Sequence, residues 1–295
     1  MRRNSIFILL LLLGISISGY TQLKKQFHIE NSLEVEKVNL ILKVSTGDCY
    51  LMPTKQSGLL NVFSKNDPNE FSHTLSKDIR NNICFIHLDL NDKNSESFSQ
   101  TISSSIFGSS NIEEMNIRKV FLSEKTPYNL KLKYGVGNAR IDLSGLSLEN
   151  LKVFSGSANV DIGYFTDTPN QISMDTFYVK VDLGSVLVKE IDKSKAKHVI
   201  ADVGFGNLLL DFSASPTQES KIKGTVGAGT LIIKLPDYES SVRVTIRNSW
   251  LCSVQLPKNF KKIQENVYVS ENYNKNSSNT LDFDIDVSMG SIIFK

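Results

Sequence analysis

Few residues in this 295-residue chain are placed to do chemistry. Asp142 and Asp161 each stand five residues after a glycine, Gly137 and Gly156, with Arg140 and Asn159 beside them. If the two glycines are equivalent, both carboxylates share one outward slot. Carboxylates with a base nearby can bind a cation or sugar hydroxyls, and in polysaccharide-cutting enzymes they do acid–base work. Here no wider cluster of carboxylates and bases accompanies them. The expectation is therefore a polar binding face of Arg140, Asp142, Asn159 and Asp161, and no enzyme.

The other reactive side chains point the same way. His28, His73, His87 and His198 show no metal-ligand spacing, so no metal is expected. Cys49, Cys84 and Cys252 lie far apart with no CxxC pair. The first reading of Cys49 is a small buried hydrophobe, and the second a disulfide with Cys84. No GxSxG, HExxH or phosphate-loop pattern is present. The Gly135-Val136-Gly137 and Gly204-Phe205-Gly206 stretches run into strand-like sequence, where a dinucleotide loop would open a helix. No cofactor is expected.

The elements that must position these residues begin after a leader. Arg2 and Arg3 precede an apolar run over 6–13 and a small, mixed stretch to Gly19, the layout of a secretory signal peptide over residues 1–21. The run is too short for a comfortable membrane span. The expectation is an exported chain, in the periplasm or on the surface of a bacterium, with no integral span once the leader is removed. Net charge is +2, from 33 basic and 31 acidic residues well mixed along the chain. That excludes a nucleic-acid binder, which would concentrate Lys and Arg. Lys24-Lys25 and the lysines of 258–262 read as solvated surface.

A short motif recurs: apolar, two variable residues, Gly, a small polar residue, apolar, any, apolar. Its glycines are Gly47, Gly137, Gly156, Gly184, Gly206, Gly229 and Gly290, and from Gly137 to Gly229 they lie 19, 28, 22 and 23 residues apart. A strand-bearing unit with a period of roughly 20–30 residues indicates a solenoid. Glycine gives each coil its corner. Three residues earlier stands Val44, Tyr134, Val153, Val181, Val203, Val226 or Val287, a column suited to stacking inside the coil. Residues 22–295 are expected to form one solenoid domain, with the best-matched coils over 125–240. An insertion or degenerate coils fill about 53–125, including a Ser-rich loop over 94–111. A C-terminal cap spans 241–295, with Trp250 covering the core.

Tyr134-Gly-Val-Gly-Asn-Ala-Arg-Ile-Asp-Leu, Phe154-Ser-Gly-Ser-Ala-Asn-Val-Asp-Ile, Gly204-Phe-Gly-Asn-Leu-Leu-Leu-Asp-Phe and Val226-Gly-Ala-Gly-Thr-Leu-Ile-Ile-Lys-Leu-Pro236 resemble the toast-rack, or putative adhesin, family of bacterial exported domains. The resemblance is close over 125–240 and looser on the flanks. Similar domains form the C-terminal part of membrane regulators of the cell-wall-antibiotic response, whose multi-span membrane region this sequence lacks. The resemblance implies an all-β, right-handed single-stranded β-helix-like solenoid of toast-rack type with capping strands. It also implies an envelope setting, and it brings no catalytic motif.

One departure from the repeat stands out. The slot three after the glycine should face outward, yet it reads Tyr50, Arg140, Asn159, Leu187, Leu209, Ile232, Ile293, aliphatic in its last four copies. Leu187, Leu209, Ile232 and Ile293 are either an interaction patch or a row covered by residues 83–90 or the C-terminal strands. The expected function is a non-enzymatic structural or interaction module of the bacterial envelope, in stress sensing or assembly. A glycan-binding surface adhesin using the polar face is the alternative. The expected partner is accordingly an envelope protein or a surface glycan.

Overall fold

In a computed structural model the described residues are 24–64, 71–92, 117–214, 216–236 and 240–295. The leader and the Ser-rich stretch lie outside them. The strands are β1 (Lys24–Ile29), β2 (Lys37–Val44), β3 (Asp48–Thr54), β4 (Leu60–Ser64), β5 (Phe71–Arg80), β6 (Ile83–Asp92) and β7 (Ile117–Ser123). Two long strands follow, β8 (Pro127–Asp142) and β9 (Ser147–Gly163), then β10 (Met174–Val181), β11 (Ser185–Lys189), β12 (Ala196–Val203) and β13 (Asn207–Asp211). The chain continues with β14 (Ser220–Val226), β15 (Thr230–Lys234), β16 (Val242–Asn248) and β17 (Ser253–Gln255). It closes with β18 (Lys261–Gln264), β19 (Val267–Val269), β20 (Leu281–Val287) and β21 (Ser291–Phe294). The only helical turn among the described residues is a short 3-10 segment, Ile191–Ser194.

This is an all-β solenoid. Each coil is a strand, a corner, a second strand and a return turn. The first strands stack in parallel as β6, β2, β8, β9, β10, β12, β14, β20, β16. The second strands stack as β7, β3, β8, β9, β11, β13, β15, β21, β17. Strands β8 and β9 run through the corner and serve in both stacks.

Parallel register at about 4.8 Å turns each repeat slot into a column. The buried column Cys49, Ala139, Val160, Val186, Leu208, Leu231, Ile292 runs through the second stack. Beside the corner runs Val44, Tyr134, Ser155, Val181, Val203, Val226, Val287. Burying such aliphatic side chains stabilises by roughly 2 kcal/mol each. Phe212, Phe283 and Phe294 fill the C-terminal half of the interior edge to face, with centroids 5.5 and 5.4 Å apart. All three cysteines are free, and burial pushes the Cys49 thiol up to about 11. The reading of Cys49 as a buried small hydrophobe holds.

Polar ladders fasten the outside. Asn129 donates to Asn39 at 2.8 Å and Asn150 to Asn129 at 2.9 Å, on successive strands. Within a return turn, the fully buried Asn170 donates to the carbonyls of Leu148 and Ile172 and accepts from the Leu148 N–H, each at 2.8 Å.

One copy of the repeat is offset. Register pairs Gly137 with Ala158 and places Asn159 opposite Ser185, the residue after Gly184. Ala158, not Gly156, therefore holds the corner, and Ser155 replaces Val153 in the corner column. The in-out alternation survives because the offset is two residues, a whole strand period.

Both ends depart from chain order. The coil β6/β7 stacks outside β2/β3, and β8 then returns to the inner side of β2/β3. At the other end β16/β17 is outermost, and β20/β21 slots between it and β14/β15. Antiparallel strands finish the stack: β5 on β6, β4 on β7 with β1 on β4, and β19 on β16 with β18 on β19. Region 53–125 thus contains the two stacked strands of an outer coil, β6 and β7, and edge strands. The C-terminal segment supplies an interior coil as well as a cap.

Trp250 does not cover the core as expected. It sits on the outer corner between β16 and β17 and is 90% exposed. Leu183, Phe205 and Met289 are also exposed, each immediately before a corner glycine of a coil below.

Candidate functional site

The outer face of the second stack carries both sequence-predicted groups. Strand alternation sends every second residue outward, and parallel register lines these residues up. One outward column reads Lys119, Tyr50, Arg140, Asp161, Leu187, Leu209, Ile232, Ile293, Gln255. Its first part is polar and its later part aliphatic, with the change at Asp161–Leu187.

The aliphatic part is what the repeat indicated. Leu187, Leu209, Ile232 and Ile293 sit in register on adjacent strands and are half-buried, shielding one another along the stack. Neither expected cover lies over them. Residues 83–90 belong to β6, at the opposite end of the first stack, and β21 contributes Ile293 to the row itself.

The polar part needs correction. Asp142 and Asp161 do not share a slot: Asp142 pairs with Gly163, and Asp161 pairs with Arg140. The sequence pattern placed Asn159 in the Arg140 column, but the two-residue offset puts Asp161 there. Asp142 turns to the chain end of its own strand and accepts from the Ser144 N–H at 2.9 Å. Asn159 lies one outward row nearer the corner. There Asn138 donates to Asp48 at 3.0 Å, and Asn159 donates to Asn138 at 3.5 Å.

What remains together is a shallow depression of about 480 Å³, lined by Tyr50, Asn138, Arg140, Asn159, Asp161, Ser185 and Leu187 over a floor of Ala139 and Val160. Its charges are arranged by neighbours that the sequence did not single out. Lys189 donates to Asp161 Oδ2 at 3.0 Å. Lys189 can lie across the strand because its neighbour is Gly163: a β-carbon there would fall 2.8 Å from Lys189 Cβ. The Arg140 guanidinium stacks on Phe165, 4.2 Å from the ring centroid, and Lys189 Nζ lies 5.3 Å from the same ring.

Arg140 and Asp161 are thus direct strand neighbours without an ion pair between them. Lys189 occupies one carboxylate oxygen and Phe165 holds the guanidinium. Asp161 Oδ1 is shielded from solvent and has no hydrogen-bond partner among the described residues. The arrangement can bind; it has no general base poised beside a nucleophile.

Among the described residues no group of three or more His, Cys, Asp or Glu side chains could hold a metal ion. No helix there is long and apolar enough to cross a membrane. The described titratable group furthest from ordinary behaviour outside the buried tyrosines and Cys49 is Asp192, in the 3-10 turn. Burial pushes it up to about 7, and the nearby Asp211 and Glu190 carboxylates add to this.

A family model described as the N-terminal domain of toast_rack, DUF2154, matches residues 17–184, more than half of the chain. No curated protein matches the sequence. Two solved structures are similar in course. One is described as a putative cell adhesion protein from Clostridium sporogenes, with 18% identity, coverage of 93% of this chain and 99% of that one, and a TM-score of 0.47. The other is described as a putative adhesin from Bacteroides fragilis, with 14% identity, coverage of 93% and 97%, and a TM-score of 0.44.

Proposed function

The chain belongs to the toast-rack family, and we propose that it is an exported, non-catalytic binding module of the bacterial envelope that works through the outer face of its second strand stack. The observation that carries this is the row Leu187, Leu209, Ile232, Ile293, aliphatic where alternation calls for solvated residues and with no segment among the described residues folded across it. A contiguous row of half-buried aliphatic side chains favours association, because covering its remaining exposed part removes apolar area from water. An aliphatic row left partly open in this way is also an aggregation hazard, which favours a standing partner. The leader-like first 21 residues support export. The lack of a base beside a nucleophile in the depression supports binding without turnover.

The test compares purified wild type with Leu209→Asp for retention on an envelope fraction of the source bacterium. Lys223→Asp, on the outer face of the first stack, is the control. Leu209→Asp is expected to lose at least tenfold in retention while its thermal melting stays close to wild type, with the control unaffected. Unfolding of Leu209→Asp, or undiminished retention, would overturn the reading.

A further inference from the structure

We propose that the depression between Tyr50 and Leu187 binds a sugar ring bearing a carboxylate, with Arg140 taking the carboxylate and Asn159 and Ser185 taking ring hydroxyls. This rests on the reading of the outer face as a binding surface and names the ligand of its polar half.

The argument begins with the charge that the fold leaves uncompensated. Arg140 is exposed, and its guanidinium carbon lies 4.2 Å from the Phe165 ring centroid, a cation–π contact that holds the group over the ring. Such a contact engages the charge of the group and leaves N–H donors available. Its nearest carboxylate by register, Asp161, is already held by Lys189 at 3.0 Å. Arg140 has no carboxylate partner among the described residues. A guanidinium held in place without an anion suits a carboxylate arriving from outside, which it can take through two parallel N–H bonds.

The rest of the lining argues for a sugar as the carrier of that carboxylate. Beside Arg140 runs a neutral polar row, Asn138, Asn159 and Ser185. Asn159 uses its amide N–H toward Asn138, which leaves its carbonyl oxygen open, and the Ser185 hydroxyl bonds to nothing among the described residues. These groups are spaced at the strand repeat of about 4.8 Å, close to the reach of hydroxyls on neighbouring ring carbons. Tyr50 on one side and Leu187 on the other offer apolar surface to the C–H faces of a ring. A volume of about 480 Å³ falls within the usual range of small-ligand sites.

The experiment uses the mature chain on an array of oligosaccharides. Its acidic arms carry uronate, sialate and muramate residues, each printed beside a neutral counterpart, so that the responding arm identifies the source of the carboxylate. At least one acidic arm is expected to be retained at least tenfold over its counterpart. Arg140→Leu should remove that preference, and Arg140→Lys should weaken it about tenfold, because an ammonium keeps the charge but loses the paired planar donors. Ser185→Ala should weaken binding by a smaller factor. Circular dichroism and melting of each variant separate loss of binding from loss of fold. Equal retention of acidic and neutral members, no retention at all, or full preference in a folded Arg140→Leu variant would overturn the inference. Should the array fail while Leu209→Asp still abolishes envelope retention, the ligand assignment falls and the binding face stands. Should both fail, both fall.

Discussion

Gly184 stacks so closely on Ala158 that a β-carbon built on Gly184 would lie 2.0 Å from the Ala158 carbonyl oxygen. The same contact recurs up the corner, with 2.3 Å from Gly206 to the Gly184 oxygen and 2.2 Å from Gly229 to the Gly206 oxygen. The glycine of the repeat is required by the approach of the coil below. Gly137 adds a second reason, a φ of +116° that side chains other than glycine rarely adopt. Gly184→Ala should therefore destabilise by about 1–3 kcal/mol, the usual cost of forcing a methyl into packed structure. Urea denaturation would read this as a lower midpoint with an unchanged slope. A midpoint equal to that of wild type would show that the corner can open without cost.

Asp192 gives a pH dependence whose sign follows from its raised value. An unfolded Asp ionises near pH 4, whereas in the fold this one holds its proton up to about 7. Between those values the folded state binds more protons. The contribution is present in full below about pH 4 and is lost as pH rises through about 7. Asp192→Asn cannot ionise and should gain on wild type as pH rises from 4 to 8, by up to about 4 kcal/mol. Parallel melting curves for the two proteins across that range would refute the assignment.

Trp250 is the sole tryptophan, and at 90% exposure it reports on one place only, the corner of the outermost coil. The folded protein should emit like a tryptophan in water and be quenched efficiently by iodide, with little change on unfolding. Blue-shifted, protected emission in the monomer would mean that the corner is covered.

How far the sequence could be read depended on whether a feature is local to one coil. The Val-x-x-Gly corner, the buried columns and the outward aliphatic row were all legible, because each depends on spacing within one copy of the repeat. The offset at Ala158 was not. Gly156 imitates the motif two residues early, and a two-residue slip keeps every side chain on its proper face, so alternation offers no warning. That slip hid the pairing of Arg140 with Asp161 and misplaced Asn159 and Asp142. Lys189 and Phe165 were missed for another reason: they reach the site from a neighbouring strand and from a turn, by contacts no spacing rule encodes. Gly163, opposite both Asp142 and Lys189, was the one available signal, a glycine at a strand end where a side chain would block the lysine.

The exchanged order of coils at the two ends has a consequence for how the molecule is assembled. A solenoid wound strictly in chain order could grow like a zipper, each new turn docking on the last. Here β16 finds its parallel partner only in β20, which follows it in the chain, so the outermost coil must wait for a later segment to be inserted beneath it. The mirror situation holds at the start, where β2 is clasped between β6 and β8. Both ends of the stack are therefore closed by coils from the middle of a segment. Each outermost coil is held by the chain on both sides, with β15 and β20 flanking one and β4 and β8 flanking the other, so fraying, the usual weakness of a one-dimensional repeat, has to lift a tethered loop at each end and cannot begin from a loose tail there.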